Sequence, residues 1–318
     1  MTDEPALDPV AIAIVGNLNL DIKTAPLPAS PAILRDGETS APEIYETIGG
    51  GAANTAAAAA ALGGRVHFCA AIGRDALGAR LVGHLQSLGI VTHMAATPAA
   101  TGRTMVLTWD HHQRHFVSCL PSAAALTAAD VDVAALAAAG CRHLYRADVW
   151  FAPHLLDGGN LELLSQARAA GMETSLDINF DPLWSRPDRS AQWPPRCAAL
   201  SACLPHVTYV HGNEPELMRF TRTSTIEEAV AALLDAGAQR IILHRGPRGS
   251  AAADRLGWVE AAPMAVSQIV TETGTGDVFT AAFLLLGRLP LPERLAACNR
   301  IAARHLAGTA CYIPRLAL

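Results

Sequence analysis

The chain has 318 residues, 51% of them hydrophobic and only 5% aromatic, which suits one large α/β domain with alanine-rich helices packed closely on a sheet, not an aromatic-rich sandwich. Its 24 basic and 29 acidic residues give a net charge of −5 with no Lys/Arg run, which argues against nucleic acid as a partner. No apolar stretch is long enough to span a membrane, and Asp3, Glu4 and Asp8 give the N-terminus the wrong charge for a signal peptide, so the cytoplasm is the expected compartment.

Strands and helices are predicted in alternation. Ala11–Val15 reads as a buried strand, Ala53–Leu62 as a helix after a Gly-rich turn, Val66–Ala71 as a strand, and Leu77–Leu88 as a helix stopped by Gly89. Ala128–Ala139 reads as a helix capped by Gly140, His143–Tyr145 as a strand, and Leu161–Ala170 as a helix capped by Gly171. Thr174–Ile178, Tyr209 with Val210, and Arg240–His244 read as short strands, and Thr225–Ala236 and Leu291–Leu306 as helices. Such alternation builds a mostly parallel sheet covered on both faces. Ile22–Ile48 and Arg103–Cys119 break the rhythm; the second alternates Met105, Leu107, Trp109, then turns, then Phe116 and Val117, which predicts antiparallel strands.

The seven cysteines (69, 119, 141, 197, 203, 298 and 311) are odd in number and lack CxxC or zinc spacing, so they are expected to be reduced thiols. The cluster His111, His112 and His115 invites a zinc reading, but it falls at a predicted hairpin tip and no cysteine or clustered acid completes a ligand set. Lys23 is the only lysine, a compositional trait in a chain this rich in alanine and arginine.

The most informative segment is Thr271-Glu272-Thr273-Gly274-Thr275-Gly276-Asp277, which runs into the apolar stretch Val278–Leu286. Gly274 and Gly276 let the backbone approach an anion, and the free N–H groups of a following helix point at it with the positive end of the dipole behind them. Asp277 at the edge of that cradle could take a proton from a hydroxyl attacking a phosphoryl group. An isolated Gly-x-Gly-Asp is more simply a tight turn with a capping acid.

Here it is not isolated. The segment resembles the DTTGAGDxF signature of the ribokinase, or PfkB, family of carbohydrate kinases. Ile14–Asp21 resembles the family's first strand and sugar-binding end, and Asp36-Gly37-Glu38-Thr39 its lid hairpin. Ile48–Ala56 with Leu62-Gly63 and Ile72–Gly78 is similar to its N-terminal signature, Leu176–Trp184 to a DxNxRxxLW pattern, and Asn213–Glu216 to NxxE. The resemblance spans roughly residues 11–314. It implies a ribokinase-like three-layer sandwich in one domain, with a small β-sheet lid formed by two excursions, about 22–48 and 101–119.

The resemblance also implies the site. Asp277 is the base, and the N–H groups of Gly274, Thr275 and Gly276 stabilise the transferring phosphoryl group. Asn19 and Asp21, placed at the end of the first strand, bind sugar hydroxyls, with Gly49, Gly50 and Asn54 alongside. Asn213 and Glu216 organise the water shell of Mg²⁺ with no direct protein ligand. Gly246-Pro247-Arg248-Gly249 resembles the nucleotide loop, and Asn299 falls near adenine. A Rossmann reading of the Gly-rich turn fails because GGGAAN lacks the GxGxxG spacing and a suitable downstream acid.

Two residues depart from the family. Thr271 replaces an Asp that helps hold a monovalent cation, which puts that cation in doubt. Asp181 replaces an Arg expected to face phosphates or an acidic substrate, which argues for a neutral one. The expected activity is ATP-dependent phosphorylation of the primary hydroxyl of a small neutral sugar, with Mg²⁺. A nucleoside kinase of the same fold and a non-catalytic sugar-binding homologue are the alternatives. Apolar lid strands would be covered in a homodimer.

Overall fold

The computed structural model describes residues 11–30, 33, 35–110, 113–271 and 273–316. The chain opens with β1 (Ala11–Val15), β2 (Asn19–Thr24) and β3 (Ile44–Gly49), followed by α1 (Gly51–Ala61), β4 (Arg65–Gly73), α2 (Ala76–Ser87), β5 (Val91–Thr97), β6 (Gly102–Thr108) and β7 (Arg114–Cys119). Next come α3 (Val133–Ala138), β8 (Cys141–Arg146), α4 (Asn160–Ala169), β9 (Glu173–Asp177), α5 (Trp193–Ser201), β10 (Tyr209–Asn213), α6 (Glu214–Thr221) and α7 (Ile226–Asp235). The last elements are β11 (Arg240–His244), β12 (Ser250–Asp254), β13 (Gly257–Ala261), α8 (Thr275–Leu285) and α9 (Leu291–Leu306).

Nine strands form the main sheet in the order β13-β12-β11-β10-β9-β8-β1-β4-β5, parallel except where β12 joins β11 and β13. β1 shows why both faces are covered. Its sequence AIAIV is wholly buried, with Ala11, Ala13 and Val15 feeding one core and Ile12 and Ile14 the other, as the two-residue alternation of a strand requires. The alanines of α1 keep that helix slim enough to lie close to both the sheet and α8. Burying each of Ile12 and Ile14 contributes roughly 2 kcal/mol, so a charge at either position would break the sheet's centre.

The second sheet has the order β3-β2-β6-β7. Its two outer pairs are antiparallel, but β2 and β6 run parallel, so the small sheet is mixed. The structure corrects the expected pattern at three places. Asn19 and Asp21 do not end the first strand; the chain turns after Val15 and both lie on β2, in the small sheet. The expected hairpin at Asp36–Thr39 is an exposed bend, and strand structure resumes only at Ile44. The expected helix Ala128–Ala139 splits into a single turn at Ala128–Asp130 and α3, because Asp130 caps the first piece and the Asp132 carboxylate accepts from Ala135 N to start the second. His111 and His112 lie outside the described residues; His115 sits on β7.

Candidate active site

The glycine loop and α8 form one wall of a cleft. Gly274 has φ 81°, open to glycine at little cost, and a Cβ there would collide with Ile313 Cδ1. Thr273 is held from two sides: His305 Nε2 lies 3.0 Å from its carbonyl oxygen, and Arg114 Nη1, from β7, donates to its Oγ1 at 2.9 Å. The small sheet is thereby tied to the loop. Thr275, whose buried Oγ1 has no partner among the described residues, starts α8 with Gly276, so free N–H groups and an unused hydroxyl converge at a helix N-terminus.

Asp277 sits in the first turn of α8, and its Oδ2 accepts from Asn54 Nδ2 of α1 at 3.0 Å. Burial raises its carboxyl well above the ordinary range; the Asn54 hydrogen bond opposes this, Asp177 and Asp148 add to it, and Lys23 opposes it. The residue is partly open to the cleft, which moderates the upward push.

Across the cleft, alternate residues of β2 point the same way. Asn19 Nδ2 donates to Asp21 Oδ1 at 2.8 Å and to Thr104 Oγ1 at 3.3 Å, and Lys23 Nζ lies 3.6 Å from Asp21 Oδ2. Gly49 pairs with Asn19 across β3, and a Cβ on it would overlap Asp21 Oδ1 and Asn19 Nδ2, so only glycine leaves room for this pair. Burial pushes the Asp21 carboxyl up to about 6 against the pull of Lys23 and Asn19.

The start of α1, next to Gly50, is organised by a residue the sequence reading passed over. Asp148 accepts from Asn17 N at 3.0 Å, Gly51 N at 2.9 Å and Ala52 N at 3.0 Å, while its own N–H donates to Asn179 Oδ1 at 2.7 Å. Both Asp148 (φ 55°) and Asn179 (φ 48°) adopt the left-handed region that Asn and Asp tolerate. Asp148 therefore fixes the end of β1 to the start of the helix that carries Asn54. Lys23 and Arg114 were also missed as site residues; their positions on β2 and β7, facing the cleft, follow from strand alternation once the register is known.

A cavity of about 450 Å³ has a lining that includes Phe180, Trp184, Asn213, Glu216, His244 and Gly246. Asn213 and Glu216 form a reciprocal cap, Asn213 N donating to Glu216 Oε2 and Glu216 N to Asn213 Oδ1, both at 2.9 Å. Burial raises the Glu216 carboxyl to about 7, with Asp177 adding to the rise, and Asp177 is itself pushed up to about 6. A desolvated acid lining the cavity, with the buried Asp177 adding its charge from behind, suits a hydrated divalent cation held through Glu216 and Asn213. Among the described residues no group of three or more His, Cys, Asp or Glu is placed to ligate a metal directly. Gly276 abuts His244, which links this cavity to the glycine loop. Gly249 follows the loop with φ 82°, and Arg245 and Arg248 are both held by Glu214.

Two expected site residues are otherwise engaged. Asn299 donates its amide to the carbonyls of Ala261 at 3.1 Å and Ala262 at 2.9 Å, clamping α9 to the end of β13. Asp181 is 1% exposed and paired with Arg196, Nε to Oδ2 at 3.0 Å, while its Oδ1 caps Leu183 N. Its charge is matched inside the protein, so the expected repulsion of an acidic substrate by Asp181 has no basis in the structure.

The pfkB family carbohydrate kinase model matches residues 12–307. The chain belongs to this family. A ribokinase from Arabidopsis thaliana is 26% identical over 288 residues, covering 86% of this chain and 69% of that protein. Among solved structures, Arabidopsis thaliana ribokinase complexed with ribose and ATP superposes with a TM-score of 0.75 at 22% identity, over 96% of both chains. Adenosine kinase from Sinorhizobium meliloti gives 0.76 at 21% identity, over 94% of both chains. This pfkB kinase is an ATP-dependent phosphotransferase of the carbohydrate kinase family, with a ribokinase-like α/β fold. Among its described residues no helix is long and apolar enough to cross a membrane.

Proposed function

We propose that this kinase phosphorylates the primary hydroxyl of a small neutral sugar, with Asp277 as general base. The observation that carries the reading is the Asn54–Asp277 contact at the mouth of α8, opposite Asn19 and Asp21. A hydroxyl bound between the two faces would give its proton to Asp277 as its oxygen attacks, while the N–H groups of Gly274, Thr275 and Gly276 face the charge that develops. In this reading ATP phosphates occupy the cavity beside Gly246, with Gly249 shaping the loop behind it, and adenine lies towards α9, whose Asn299 amide is spent on the Ala261 and Ala262 carbonyls. Mg²⁺, when bound through water near Asn213 and Glu216, supplies charge neutralisation between phosphate oxygens. A neutral acceptor is supported by the Asp21–Lys23 pair, which already balances charge on the sugar face.

The small sheet acts as a lid in this reading, within a single domain at about residues 11–314. Its face turned from the cleft leaves Ile44, Met105 and Val117 about half or more exposed, which favours pairing of two lids in a homodimer. Seven free cysteines fit a reducing cytoplasm. A nucleoside acceptor is the second reading: Phe116, paired with Val106 next to Lys23, is 51% exposed on the cleft-facing side and offers a ring to a base. The intact Asp277–Asn54 pair speaks against a non-catalytic homologue. A Mg²⁺-ATP turnover screen over neutral sugars, sugar acids and nucleosides tests the proposal; turnover confined to nucleosides selects the second reading, and none at all sinks both.

A further inference from the structure

The segment that follows α9 touches the glycine loop at one end and the small sheet at the other. Tyr312 is buried with its ring 6.2 Å from that of His305, whose Nε2 holds the Thr273 carbonyl. Ile313 packs its Cδ1 against Gly274, 2.3 Å from where a Cβ would stand, so the residue that caps α8 is backed by this side chain. Two positions on, Arg315 bridges to Thr47 of β3 in antiparallel sense, and the buried Leu316 donates its N–H to the Glu46 carbonyl at 3.1 Å. The Arg315 guanidinium reaches along the strand: Nη1 donates to Glu43 Oε1 at 2.5 Å, Nη2 donates to Glu43 Oε2 at 3.2 Å, and its carbon lies 3.8 Å from the centre of the Tyr45 ring.

β3 is an edge of the small sheet, and it leads through Gly50 into α1, which carries Asn54 to Asp277. Residues 312–316 therefore join that edge to the turn whose N–H groups face the transferring phosphoryl group. Any short segment could cover a strand edge. This one adds a two-pronged ion pair and a ring contact where the side chains of Arg315 and Glu43 are 56% and 49% exposed. Pairs so exposed add little to stability, so this one can open without unfolding the protein, and its use lies in where it holds β3. Placement matters because a reacting group displaced by about 1 Å can lose on the order of 10²-fold in rate.

We propose that Ile313 and Arg315 are positioning residues for phosphoryl transfer: their segment couples the seating of the small sheet to the geometry of the glycine loop, so that the N–H groups of α8 reach their working positions only when β3 is held. The proposal rests on the kinase reading above and deepens it.

Hydrogen exchange over residues 273–280, followed without substrates, reports on the loop independently of turnover. Arg315→Ala is expected to speed it several-fold although the change lies at the far end of the segment. Arg315→Lys, which keeps the charge but loses the planar fork, should fall between. Arg80→Ala is the control: it removes a surface ion pair to Glu46 of the same strand, made from α2, and should leave exchange over 273–280 as in the wild type. With Mg²⁺-ATP and the acceptor that the turnover screen selects, kcat should fall about tenfold or more in Ile313→Ala and in Arg315→Ala, with KM for ATP within about twofold. Ile313→Val should recover part of the loss, and the melting temperature of Arg315→Ala should stay within about 2 °C of the wild type. The double variant should cost little more than the worse single change, because both act through one link. Wild-type exchange in Arg315→Ala, an equal speeding in Arg80→Ala, wild-type kcat in Arg315→Ala or additive losses in the double variant each overturn the proposal, and the first three decide it if Ile313→Ala fails to fold. Faster exchange in Arg315→Ala with no turnover in the wild type overturns the kinase reading and leaves the link between sheet and loop standing.

Discussion

Asn54 and Asp277, 223 positions apart in the chain, meet through a hydrogen bond of 3.0 Å that joins the first turn of α1 to the first turn of α8. The contact occupies Asp277 Oδ2, while Gly51, at the start of α1, lies beside Oδ1 and leaves it space. One carboxylate oxygen is thus fixed by an amide and the other is available to a hydroxyl.

Replacing Asp277 by Asn keeps size and hydrogen bonding but removes the base. Turnover should fall about 10²- to 10⁴-fold, with ATP binding and melting temperature nearly unchanged. Steady-state kinetics beside calorimetric ATP titration check this, and wild-type turnover in the variant would remove the mechanism.

The Asn54 amide stabilises the ionised form of Asp277, so its loss in Asn54→Leu should raise that carboxyl further. More of the base is then protonated at any given pH, and the acid limb of kcat should move to higher pH. A pH–rate profile with an unmoved acid limb would show that the amide does not tune the base.

Much of this was legible in the sequence where the signal is local. The glycine loop, Asp277 and the alternation of buried strands and helices are set by residues within a few positions of one another. What escaped is tertiary. Asp148 has no motif of its own and acquires its role by meeting Asn17, Gly51 and Ala52, far away in the chain. Lys23 looks like a trait of composition in the sequence, because only the break between β1 and β2 puts it on the same face as Asn19 and Asp21. The turn at Gly16–Leu18 is short and apolar at its end, and nothing in it marks a change of sheet.

Glu216, raised to about 7, should lose its charge as pH falls through neutrality. Since a carboxylate holds the water shell of Mg²⁺ only when ionised, the Mg²⁺ concentration for half-maximal rate should rise between pH 8 and 6. Glu216→Gln should raise that requirement about tenfold or more and flatten its pH dependence, in keeping with the usual cost of removing an outer-shell metal partner. A requirement independent of pH in the wild type would contradict this placement of the ion.

Thr271 offers a neutral hydroxyl where the family signature has a carboxylate, and its backbone N–H is taken by the Leu306 carbonyl. A monovalent cation should be held weakly, so potassium chloride should change the rate less than twofold relative to a matched salt of a larger organic cation. Several-fold specific activation would mean that other groups complete the cation site.

Asp181 supplies the sharpest contrast between sequence and structure. Read along the chain, an acid in place of an arginine looks like a device to repel acidic substrates. In the fold it is 1% exposed, accepts from Arg196 Nε at 3.0 Å and Nη2 at 3.2 Å, and caps the short turn that begins at Pro182. Removing one member of a buried pair leaves the other uncompensated, at a cost on the order of 3 kcal/mol. Asp181→Asn should therefore lower the melting temperature by several degrees while leaving the preference between matched neutral and acidic sugars within about twofold. Asp181→Arg, which sets two guanidinium groups against each other in the same space, should be less stable still. Melting curves and kcat/KM for the two sugars decide the matter: a shift of tenfold or more towards the acid in Asp181→Asn, with stability unchanged, would restore Asp181 to the substrate cleft.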